Sequence, residues 1–100
     1  MIRAVTFSPE ARDDLIELYD YIAGRGAPNA ALAYVTRRES RCLALADYPE
    51  QGQSRSDIRP GLRLLGFERR TEIAFHVTTT HVVIDGFFHG GQDVTAAFDD

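Results

Sequence analysis

Residues 71–89 read TEIAFHVTTTHVVIDGFFH, and their side chains change character at every second position. Thr71, Ile73, Phe75 and Val77 alternate with Glu72, Ala74 and His76, which is the period of a strand with one face on a core. Thr78-Thr79-Thr80 has room only for a turn before the run from His81 to Phe88 begins. Strands joined so closely pair antiparallel. Leu62 to Phe67 supplies a third strand upstream, so a three-stranded antiparallel meander is expected. The set containing Ile73 and Phe75 faces the core, leaving Glu72, Ala74 and His76 on the other side. Arg63 shares parity with Leu65 and Phe67, which leaves its face open.

Upstream of the meander the period is helical. Ser8-Pro9-Glu10 is a helix start: Ser8 caps a free amide, Pro9 fits the first turn and Glu10 meets the positive end of the dipole. Ala11, Leu15, Leu18, Tyr19 and Ile22 recur on one side, and Glu10, Asp13, Asp14, Glu17 and Asp20 fill the other, predicting a helix over about residues 9–23 that ends at Gly24. Before it, Val5 and Phe7 alternate with Arg3 and Thr6 as a short strand. Gly26-Ala27-Pro28-Asn29 links to a second helix of roughly 18 residues, closed by Asp47-Tyr48-Pro49. Its apolar stripe is Ala31, Tyr34, Val35, Cys42, Leu45 and Ala46, with a polar gap at residues 37–41. So close a link makes an antiparallel helical hairpin. The expected fold is α+β: an N-terminal strand, then the hairpin packed on the C-terminal sheet.

One hundred residues, 44% of them hydrophobic, support a single domain over residues 1–100 with one core. The first 25 residues hold five acids and no apolar run, so no signal peptide or membrane span is expected, and the cytoplasm is the expected compartment. Cys42 is the sole cysteine and is expected to be buried and inert. His76, His81 and His89 match no metal-ligand spacing, so neither metal nor cofactor is expected.

Every cation is arginine, and the chain concentrates them: residues 55–70 carry Arg55, Arg59, Arg63, Arg69 and Arg70 against Asp57 and Glu68, within a net charge of −4. Two uses fit, pairing with the chain's own carboxylates or docking an external anion. A pI near 5.3 argues against wide binding to a polyanion and for protein carboxylates. Ribonuclease chemistry would need charge from Arg63 and Arg69 with His89 or Glu68 moving a proton, but no specific spacing binds these residues together. HGGQD, residues 89–93, is a turn at the end of the sheet rather than a phosphate cradle.

Taken in order, FSPEARDDLIELYDYIA, CLALADYPEQGQSR, DIRPGLRLLGFERRTEIAFHV and VVIDGFFHGGQD resemble the ParE toxins of the RelE/ParE superfamily, from residue 2 to about 93. The resemblance implies a toxin of a type II toxin–antitoxin module. It also implies a ParD-like antitoxin as partner in a hetero-oligomer, and DNA gyrase as target, poisoned by binding rather than catalysis. The superfamily's RelE branch instead cuts messenger RNA on the ribosome, using a basic face that often carries lysine and a tyrosine or histidine–tyrosine pair near the C-terminus. Here lysine is absent and Phe87-Phe88-His89 occupies that end. A catalytic site and specific nucleic-acid binding are therefore not expected. A non-toxic module that only holds an antitoxin is a third reading. Gly61-Leu62-Arg63 matches the family's recurrent G-L-R. Arg59, Arg63, Arg69 and Arg70 are assigned to the antitoxin, and Phe87, Phe88, His89 and Asp93 to the target.

Overall fold

The structure, a computed structural model, describes residues 2–68, 70–90 and 94–98. Strand β1 (Ala4–Phe7) runs into helix α1 (Pro9–Ala23), followed by α2 (Pro28–Leu43) and a 3-10 turn (Ala44–Ala46). Strands β2 (Gln53–Ser54), β3 (Arg63–Phe67), β4 (Thr71–Val77) and β5 (His81–His89) come next, and the short helix α3 (Val94–Ala97) closes the chain. The α1 start is built as its sequence dictates: Ser8 Oγ accepts from the Ala11 amide at 3.1 Å, with Pro9 in the first turn. Gly26 takes φ 85° in the link between the helices, a conformation that a side chain would strain.

The sheet is wider than the expected meander, with five strands in the order β1-β5-β4-β3-β2. β1 pairs parallel with β5, with Val5 opposite Val82 and Phe7 opposite Ile84, so the sheet is mixed. Alternation around Val5 and Phe7 marks β1 as a strand without naming its partner, and β2 has no signal of its own. Two residues cannot show a period, and β1 meets β5 only after the whole helical hairpin and meander have been traversed.

A β-bulge decides what the end of β5 does. Ala74 pairs with Gly86 but Phe75 with Ile84, leaving Asp85 as the extra residue. One extra residue reverses the alternation beyond it. Val82 and Ile84 face the helices before the bulge, and after it Phe87 takes that face while Phe88 turns to the other. Asp85 itself reaches His76, its Oδ2 2.8 Å from Nδ1. Its carbonyl accepts from Ser8 Oγ, tying the α1 cap to the bulge.

Two apolar clusters result. Under the helices, Ala11, Leu15, Cys42 and Leu45 meet Phe67, Ile73, Phe75, Val82, Ile84 and Phe87. Ile73, Phe75 and Ala74 are all inaccessible to solvent, although Ala74 points away from the helices. It belongs to a smaller cluster with Leu62 and Leu64, covered by Ile58, Phe88, Val94 and Phe98. Burial pushes the Cys42 thiol up to about 12, so it stays protonated at neutral pH and is no nucleophile. No helix among the described residues is long and apolar enough to cross a membrane.

Candidate functional site

Among the described residues, the arginines that the sequence groups together do not converge. Arg63 opens β3 opposite Phe75, which places it on the helix-bearing face. From there its Nε donates to the Gln51 carbonyl at 3.0 Å, and its Nη2 to those of Glu50 and Gly52 at 2.9 and 3.3 Å. The side chain thus gathers three carbonyls of the loop that leaves the helical hairpin. Gly52 is required in that loop, because it has φ 77° and a Cβ there would collide with the Leu64 carbonyl.

Arg59 and Arg70 lie elsewhere. Arg59 stacks over the Phe98 ring, 5.6 Å from its centroid, on the face that carries the smaller cluster. A cavity of about 300 Å³ there brings it near Glu10 and Asp85. Arg70 is exposed in the β3–β4 turn, and its carbonyl accepts from the Gly90 amide at 2.6 Å. The four strand steps of β3 alone put roughly 13 Å between that turn and Arg63. Arg69 lies outside the described residues. Arg55 forks onto Asp57, with both bonds near 3 Å, and this contact holds the Asp57 carboxyl below its usual range.

The bulge decides where the two phenylalanines assigned to the target stand. Phe87 is only 6% exposed, beneath the helices. Phe88 lies on the opposite face, half-buried against Phe98 with ring centroids 5.8 Å apart. His89 is exposed and closes β5 opposite Thr71, and Asp93 lies outside the described residues. The three histidines are also dispersed: His76 pairs with Asp85, while His81 bonds Thr80 Oγ1 at the far end of β5 from His89. Among the described residues no group of three potential ligands could hold a metal.

One functional candidate escaped the sequence reading. Arg38, 1% exposed, fills the polar gap in the α2 stripe. Its Nη2 donates to Tyr34 Oη at 3.1 Å and to Thr71 Oγ1 at 3.3 Å. The guanidinium lies 4.9 Å from the Phe87 ring centroid, 5.1 Å from that of Tyr34 and 6.0 Å from that of Phe67. The signal was the spacing: Arg38 stands seven residues after Ala31 and four before Cys42, on the buried stripe itself. Residue type outweighed position in the reading, although arginine packs readily on aromatic faces.

Comparison with known proteins bears on the whole arrangement. The structure described as "Chromosomal ParDE TA system from P. aeruginosa" superposes with a TM-score of 0.76 at 24% identity, over 89% of this chain and 97% of that one. At that identity the likeness concerns the fold. No curated protein matches the chain. The family described as "ParE toxin of type II toxin-antitoxin system, parDE" matches residues 5–94, from within β1 to the first residue of α3. With nine-tenths of its length matched, the chain belongs to the ParE toxin family of type II toxin–antitoxin systems.

Proposed function

We propose that the protein inhibits DNA gyrase by binding it, without catalysis of its own, and that a ParD-like antitoxin neutralises it. The observation that supports this over messenger-RNA cleavage is the separation, among the described residues, of Arg63 from His89, two of the groups a nuclease would need. Arg63 is committed to the loop carbonyls at one end of the sheet, while His89 pairs opposite Thr71 at the other. Glu68 is engaged by Arg37 at 3.0 Å. That separation supports binding over cleavage for the pair Arg63 and His89. Expressing the chain without its antitoxin is the test. Growth arrest with a DNA-damage response and intact transcripts is expected, and codon-specific cuts in messenger RNA on translating ribosomes would overturn the proposal.

In this reading Arg59, Arg69 and Arg70 meet antitoxin carboxylates, and Arg63 shapes the start of β3 by holding its loop. The antitoxin is an extended acidic segment, which suits arginines spread over a surface rather than gathered in a pocket. Replacing Arg59 and Arg70 with alanine should weaken antitoxin binding about tenfold, mainly through faster dissociation. Surface plasmon resonance would read this directly. Unchanged dissociation would remove both residues from the interface. Target contact is assigned to Phe88, His89 and Asp93, with Phe87 serving from beneath as packing.

A further inference from the structure

Arg38 has more hydrogen-bonding capacity than its surroundings use. Its Nε is buried with no acceptor in reach, and its two hydrogen bonds both leave from Nη2. Among the described residues its partners are two hydroxyls and three aromatic rings, with no carboxylate in ion-pair contact. A buried cation held this way has no counter-ion among the described residues, and a buried donor without an acceptor is unusual in a native structure. Beside it opens a cavity of about 530 Å³ between α1, α2 and the end of β5, walled by Leu18, Tyr21 and Phe87, with Asp14 and Glu17 on the α1 side and His89 on the β5 side.

We infer that this cavity is a receptor for one carboxylate on an apolar stem, taken up by the Arg38 guanidinium. An oxyanion is the ligand that best suits a guanidinium with no carboxylate in ion-pair contact among the described residues, and the planar guanidinium favours a planar carboxylate. Leu18 and the Phe87 ring suit methylenes rather than a hydrated headgroup. Asp14 and Glu17 set the charge limit: they repel phosphate dianions and polyanions more strongly than a monoanion. Asp14 Oδ2 is itself directed toward the Phe87 amide, at 3.4 Å, rather than toward Arg38. A glutamate side chain of a docking protein and a free aliphatic acid present the same chemistry. Only the choice between those two sources rests on the antitoxin reading above.

The unmodified chain provides the test, because a buried arginine Nε–H gives an observable NMR signal. Titration with butyrate should shift the Arg38 Nε–H resonance saturably, whereas butyramide, and chloride at matched ionic strength, should leave it in place. Phosphate above pH 7.5 should bind more weakly than butyrate. The exposed Glu17→Gln change should tighten butyrate about threefold by removing a repelling charge. Addition of antitoxin then identifies the source: displacement of butyrate assigns the site to a partner's carboxylate, and co-binding assigns it to a free acid. An unmoved Arg38 resonance, or equal shifts with butyramide, would overturn the inference whether or not the chain poisons gyrase.

Discussion

Replacing Phe75 by alanine should lower the unfolding free energy by about 3–5 kcal/mol, the loss expected when a fully buried aromatic ring is removed and its cavity cannot collapse. Phe75 is inaccessible to solvent and stands mid-sheet, opposite Arg63 on one side and Ile84 on the other. The bulge begins beside it, between Ala74 and Phe75. Leu45 and Cys42 belong to the same cluster from the helical side, so no single element can shift to fill the space. Against a total stability of about 5–15 kcal/mol for a domain of this size, the change removes a large part of the margin. A urea titration should show a lower midpoint with an unchanged slope. A loss below about 1 kcal/mol would mean that the ring does not belong to the core described for it.

What could be read in the sequence depended on whether a signal was local. The start of α1 was legible because Ser8, Pro9 and Glu10 each act on amides within one turn, and β4 because alternation from Thr71 to Val77 runs unbroken. Phe87 and Phe88 were both assigned to the target, yet Phe87 is buried beneath the helices, on the face it takes because of the bulge at Asp85. The bulge is defined relative to β4, and its one local signal is Gly86, an isolated glycine in the strand beside Asp85. Ala74 was placed on the correct face, but its cover could not be foreseen, because Ile58, Phe88 and Phe98 reach it from three separated parts of the chain. Dispersal of the arginines has the same cause: proximity along residues 59–70 conceals a hairpin that carries Arg63 and Arg70 to opposite ends of β3. Arg38 differs in kind, because its spacing along α2 was local and legible.

Removing residues 91–100 should abolish growth inhibition while leaving antitoxin affinity within a few-fold. The cut keeps His89 in its pairing with Thr71 and keeps the Gly90 amide on the Arg70 carbonyl, so β5 and the β3–β4 turn retain their hydrogen bonds. It removes Asp93, one of the residues assigned to the target. Stability also falls, because Val94 and Phe98 leave the cluster over Leu62, Leu64 and Ala74, at a cost of about 1–3 kcal/mol for partly buried side chains. A second variant separates the two effects. Phe98→Ala loses the ring that packs on Phe88 and stacks under Arg59 but retains the closing segment. If the segment itself acts on gyrase, Phe98→Ala remains toxic at a reduced melting temperature and the truncated chain does not. If both lose toxicity in proportion to their loss of stability, the closing residues only cover the sheet. Full toxicity from the truncated chain would move the target contact elsewhere, leaving Phe88 and His89 to be tested singly.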